Sequence, residues 1–174
     1  MSIIILNIKP VNSPRGQNRS GAYAYIKDTT MTDRPTSSVN LGWQRDFQFS
    51  SQDTHGHTVT VDAPQSEGDT FDGMMPGDLL LTSLGSCSGI DVVNILRRQR
   101  QDVTGLEISV TGEQLPDAPW TWVAIELQYT VRGRGLRESA VRRAIELSEE
   151  RYCSIGATIG GRAEITSTFT IVEE

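Results

Sequence analysis

"LTSLGSCSGIDVVNILRR", residues 81–98, is the stretch on which the reading of this chain turns. With Leu79 and Leu80 just before it, it holds nine of the large apolar side chains of one predicted helix. Pro76 suits a first helical position, where a missing N–H costs nothing, and Asp78 suits the positive end of the helix dipole. "RRQRQD" at the other end suits the negative pole. The pattern predicts a helix from about Gly77 to Arg100, roughly 36 Å long at about 1.5 Å per residue. Its apolar residues cover most of the circumference, so burial on nearly all sides is expected. One thiol, Cys87, sits among Ser83, Gly85, Ser86, Ser88 and Gly89. Such small neighbours either admit another backbone or leave the sulfur open to a reactant.

Working outward, "VNLGWQRDFQF" and "HTVTVDAP" alternate apolar with polar residues, as half-buried strands do, and "SSQDTHG" reads as the hairpin loop between them. "PQSEGDTFDGMMPG" is polar and glycine-rich, hence loop. After the helix, "GLEISVTGEQL" and "WTWVAIELQYTVRG" predict a strand pair joined through "PDAP". In "LRESAVRRAIELSEERY" the residues Leu136, Val141, Ala144, Ile145 and Leu147 recur near a 3.6 period, an amphipathic helix that "CSIGATIGG" interrupts. "AEITSTFTIVEE" closes the chain as a strand. Strands, long helix, two strands, second helix and final strand make an α+β fold.

The 174 residues suit one domain, and 37% hydrophobic with 22% charged residues suits a soluble globular chain. Sixteen basic against 22 acidic residues give −6, which argues against nucleic-acid and acidic-membrane partners, since both need a basic footprint. No apolar run is expected to be long enough to span a membrane; residues 79–96 come closest but include Asp91 and Asn94. "MSIIILNIKPV" lacks the basic start of a signal peptide, so the expected compartment is the cytoplasm. Residues 1–37 carry five basic and two acidic side chains, a net +3 against −9 for residues 38–174. They are read as a poorly packed extension, with Met31 as a natural start, or else as holding an edge strand at "GAYAYIKD"; residues 38–174 form the domain proper.

Most candidate sites have bland readings. His55 and His57 of "HGH" lack a third ligand at metal-binding spacing, so no metal and no cofactor is expected. "SIGATIGG" lacks the Lys-Ser/Thr ending of a phosphate loop. "ELSEE" reads as a solvated face. A cysteine in a buried helix is usually a small hydrophobe. Cys153 differs, because it stands where a helix stops. The two thiols could meet if the fold brings their Cα atoms within about 7 Å. Spacing alone does not decide it.

"PGDLLLTSLGSCSGIDVVNIL" followed by "ELSEERYCSIGATI" resembles the OsmC/Ohr family of thiol-dependent organic hydroperoxide reductases. The likeness covers residues 38–174 and includes "VDAP" before the glycine-rich loop. It implies an antiparallel-rich sheet around a long buried helix, in an intertwined homodimer. It also implies that Cys87 attacks the hydroperoxide, that Cys153 resolves the sulfenic acid as a Cys87–Cys153 disulfide, and that a dihydrolipoyl-type dithiol reduces the pair. That chemistry would belong to an oxidative stress response. The best-studied branches pair a strand arginine with a glutamate directly after the helix-start proline. Here Gly77 follows Pro76 and the acid is one place later, Asp78; the cysteine contexts resemble a third, less characterised branch. Cys87 lies too deep in its helix for the dipole to favour its thiolate, so a cation is needed, and Arg45 is the candidate by position. The alternative is a catalytically weak or inactive member of the fold that binds an apolar small molecule.

Overall fold

The computed structural model describes residues 4–7 and 36–174. The described residues divide into two compact units, one of 36–76 and one of 4–7 with 77–174. The predicted edge strand "GAYAYIKD" and the start at Met31 lie outside the described residues. Of the predicted extension, Ile4–Asn7 forms strand β1.

The first unit contains β2 (Val39–Arg45), β3 (Gln48–Asp53) and β4 (Thr58–Val61), an antiparallel sheet in sequence order. "VNLGWQRDFQF" is therefore two strands, not one. The chain reverses at Asp46, whose φ is 43°, without the glycine, proline or asparagine that usually marks such a turn. "SSQD" belongs to β3, and the hairpin loop is shorter than predicted. Asp53 organises it. Its Oδ1 accepts the backbone N–H groups of His55 and His57, both at 2.8 Å, and its Oδ2 lies 2.8 Å from His57 Nδ1. The "HGH" histidines thus serve a turn. Asp62 is buried at the end of β4. Burial opposes its charge, yet hydrogen bonds from the Asp72 and Ala63 N–H groups and Gln48 outweigh this and hold its carboxyl below the usual range.

The second unit contains α1 (Pro76–Arg98), β5 (Asp102–Gln114), β6 (Trp122–Arg134), α2 (Glu138–Leu147), a π-helical turn (Ser148–Tyr152), α3 (Ser154–Ile159) and β7 (Glu164–Glu173). Its sheet has the order β1-β7-β6-β5. β5–β6 and β1–β7 pair antiparallel, while β6–β7 pair parallel across the α2–α3 crossover. Alternate residues of β6, from Ile125 through Leu127 and Tyr129 to Val131, are buried in one cluster with Phe169 and Ile171 of β7. Val92 and Leu96 of α1 and Val141, Ala144 and Ile145 of α2 complete that core.

α1 departs from expectation in two ways. By length and hydropathy it is apolar enough to cross a membrane, contrary to the sequence reading, yet Leu84, Ser88, Val92 and Leu96 place it in the core of its unit. It is also not buried on nearly all sides, since Ile90 is 69% exposed. Its glycines explain how it is seated. A Cβ on Gly85 would lie 2.8 Å from Val110 Cγ2, and one on Gly89 2.8 Å from Ile108 Cδ1. The helix therefore rests on β5 through a backbone stripe of period four.

This contact separates two substitutions. Val110 is β-branched and stiff, so Gly85→Ala should lose stability, by up to about 2 kcal/mol, as overpacking of about 1–3 kcal/mol outweighs a helix-propensity gain of about 1 kcal/mol. The end of Ile108 can swing aside, so Gly89→Ala should stay within about 0.5 kcal/mol of the parent. Urea unfolding midpoints check both.

Candidate active site

Cys87 is half-buried on α1, and Cys153 is buried, 3% exposed, at the N-cap of α3. The fold makes them neighbours. Burial pushes the Cys153 thiol up to about 11, and interaction with the Cys87 thiol adds to the rise. The Gly156 N–H, which Cys153 Sγ accepts at 3.2 Å, works the other way, and the charge of Asp91 contributes a smaller rise. Both cysteines are free thiols.

The π-helical turn positions Cys153. Its N–H reaches back five residues to the Ser148 carbonyl, 2.8 Å away, and its φ/ψ of −71°/98° then ends the helix. π-turns are rare and recur at functional sites because the extra residue per turn redirects side chains. Here the turn buries Ser148 completely. Ser148 Oγ donates to Asp91 Oδ2 at 3.1 Å and lies 2.9 Å from Ser88 Oγ, which lies 2.7 Å from the Tyr129 hydroxyl. A chain of hydroxyls thus joins α1, β6 and the π-turn beside the thiols. Burial raises the Tyr129 phenol well above its usual range.

Behind Tyr129 stands Glu149. Burial raises its carboxyl, and the charges of Glu146 and Glu150 add to this against a lowering by nearby Ser167. Among the described residues, Glu149 Oε1 and Ser167 Oγ are buried without a completed hydrogen bond. "ELSEE" is therefore not simply a solvated face. The sequence reading missed Ser88, Tyr129, Ser148 and Glu149. The available signals were a tyrosine inside an otherwise aliphatic strand alternation and a serine one residue after Cys87.

The other predicted residues are placed as follows. Asp78 is exposed in the first turn of α1. Arg45 belongs to the three-stranded unit, where it pairs with Asp72 at 2.8 Å and Asp46 at 3.8 Å. A groove of about 630 Å³ runs between α1 and β5, lined among others by Leu81, Gly85, Gly89, Ile90, Ile108 and Val110. Cys87 is not among its lining residues, being turned about 160° from Gly85 and Gly89 at ~100° per residue. The glycines beside Cys87 thus serve packing on β5.

The family profile for OsmC-like protein matches residues 66–168. The chain belongs to the OsmC-like protein family. Protein YhfA of Escherichia coli K12 is 35% identical over 134 residues, covering 77% of this chain and 97% of that protein. The OsmC-like protein of Mycoplasma pneumoniae superposes with a TM-score of 0.69 at 18% identity, over 79% of this chain and 98% of that one. The organic hydroperoxide resistance protein OhrB of Bacillus subtilis shares the fold at a TM-score of 0.55 and 14% identity, over 77% and 97% of the two chains. The OsmC-like architecture read from the sequence is the one observed, with the parallel β6–β7 pair as its unpredicted part.

Two pH dependences follow. Cys153 holds its proton more tightly folded than unfolded, so its contribution to stability is full below the ordinary thiol value of 9.0 and is lost as pH rises towards about 11. Unfolding free energies should fall through that alkaline window in the parent and fall less in Cys153→Ala. Glu149 is also raised, so it favours the fold below the ordinary value of 4.5 and disfavours it as pH rises through the folded value. Glu149→Gln should therefore match or exceed the parent's stability at neutral pH and lose that advantage in acid, as thermal melts at the two pH values would show.

Proposed function

We propose that this protein is a thiol-dependent peroxidase that reduces organic hydroperoxides. The observation that carries the reading is the adjacency of two free thiols from distant elements, one buried and raised, the other half-exposed. Such a pair divides the labour. Cys87 as thiolate takes the terminal oxygen of the hydroperoxide and becomes a sulfenic acid, and the alkoxide leaves with a proton as alcohol. Cys153 then attacks the Cys87 sulfur; the S–O bond breaks and the oxygen leaves as water. A dihydrolipoyl-type dithiol returns the disulfide to two thiols. Family membership and the fold shared with a protein named for organic hydroperoxide resistance support this reading. Within it, the reducing cytoplasm is the compartment in which two free thiols persist.

The reading includes a homodimer. Val39, Leu41 and Trp43 lie on one face of β2, each more than half exposed, and Ile90 is exposed beside the α1–β5 groove. Apolar surface of this kind needs a cover, and a second copy supplies one. The same groove favours the second reading, a protein that binds an apolar small molecule and leaves the thiols idle.

Intact mass separates the readings. After stoichiometric cumene hydroperoxide the parent should lose two hydrogens, Cys153→Ser should gain one oxygen and then more, and Cys87→Ser should be unchanged. An unchanged parent mass would leave only the binding reading. Sedimentation at micromolar concentration should give a dimer; a monomer counts against the proposed assembly.

A further inference from the structure

The hydroxyl chain beside the thiols has a direction. A carboxylate can only accept, so Ser148 spends its one proton on Asp91. Ser88 must then donate to Ser148, and Tyr129 to Ser88. Three hydroxyls thus point the same way, and all terminate on Asp91. Asp91 lies one turn beyond Cys87 on α1, half-buried. Ser148 ties it to the other thiol, since the Ser148 side chain holds Asp91 while the Ser148 carbonyl holds the Cys153 N–H. The titratable groups around Cys153 are Cys87 and Asp91 from α1 and Tyr129 from β6, with Glu149 of the π-turn behind Tyr129.

A buried thiol that keeps its proton is a poor nucleophile, because the thiolate does the attacking. Disulfide closure therefore needs a group to remove that proton. Asp91 is the carboxylate that Ser148 links to the backbone of Cys153, one helical turn beyond Cys87.

We propose that Asp91, aimed by the Tyr129–Ser88–Ser148 chain, is the base that takes the Cys153 proton as Cys153 closes on Cys87. In the peroxide reaction the proton passes from Cys153 sulfur through Asp91 to the departing hydroxide, which leaves as water. The sulfur–oxygen bond breaks as the disulfide forms, and no other reactant is consumed. This rests on the peroxidase reading only in that both need the two thiols to join.

The test can therefore avoid peroxide. Dithiobis(nitrobenzoate) exchanges with Cys87 and releases one coloured thiolate. Cys153 then attacks the mixed disulfide, expels a second coloured thiolate and gives up its proton. The rate of this second release is the readout. Asparagine at Asp91 removes a negative charge that raises the Cys153 thiol, so electrostatics alone predicts an equal or faster second release in Asp91→Asn. A base role predicts the opposite sign, a release slower by about 100-fold at neutral pH, within the range usual for general-base catalysis. It also predicts a changed pH profile. The parent rate should be nearly flat across neutral pH, and the variant rate should climb about tenfold per pH unit as thiolate forms. Asp91→Glu should recover part of the rate, and Ser148→Ala, which keeps the carboxylate but releases its aim, should fall between parent and Asp91→Asn. Near-ultraviolet circular dichroism identifies any variant that has lost its packing. Asp91→Asn as fast as the parent overturns the proposal while leaving the peroxidase reading intact. A parent that releases no second equivalent overturns both, because its thiols do not join.

Discussion

The second unit hangs on how closely α1 approaches β5. A Cβ on Gly85 would press on stiff Val110 and one on Gly89 would displace the end of Ile108, so that stripe faces the strand as backbone. At about 100° per residue, fixing one stripe fixes every other direction on the helix. Leu84, Ser88, Val92 and Leu96 turn into the core. Cys87 and Asp91, one turn apart, turn towards the end of α2. The direction of the thiol is thus a consequence of two glycines that do not touch it. The small residues around Cys87 divide by face: glycines seat the helix, Ser88 enters the buried hydroxyl chain, and Ser83 and Ser86 stay exposed.

The π-turn completes what α1 begins. A continuing α-helix would pair the Cys153 N–H with Glu149; the five-residue step pairs it with Ser148 instead. That choice buries the Ser148 hydroxyl, which needs a partner, and Asp91 and Ser88 supply two. The same turn buries much of Glu149, whose Oε1 lacks a completed hydrogen bond among the described residues. Buried polar groups rigidify a core when satisfied and weaken it when not, so this corner trades stability for polarity next to the cysteines. Thiol chemistry that moves protons has use for such a corner; a purely structural junction would be more stable with aliphatic side chains in these places.

Local pattern carried most of the fold. Pro76, Asp78 and the arginines after Leu96 bounded α1 to within two residues, and alternation located β5, β6 and β7. The β2–β3 hairpin was misread because Asp46 makes the turn inside an unbroken alternation. The parallel β6–β7 pairing was illegible because it joins segments across a whole helical crossover. At the site, the cysteines were legible through their sequence contexts, and their adjacency was not. The hydroxyl chain links residues 41, 57 and 60 positions apart. Serine and tyrosine are common enough that no single occurrence announces a network. "ELSEE" looked like solvated surface because periodicity was extended through it as α-helix, whereas the π-turn rotates Ser148 and Glu149 inward.

The apolar groove and the thiol pair occupy different sides of α1, and this bears on how the two functional readings relate. Had the groove opened onto Cys87, one cavity would have had to serve both substrate and sulfur, and a bound apolar molecule would have been a competitor. With the groove lined by the glycine stripe and β5, its occupant leaves the cysteines where they are. A second copy of the chain covering that surface would stabilise α1 from the side its own sheet leaves open, and so steady the helix that carries Cys87 and Asp91. A small molecule there would do the same to a lesser extent, in proportion to the apolar area it covers. Either occupant would reach the cysteines only through the seating of α1, since the groove does not open onto Cys87.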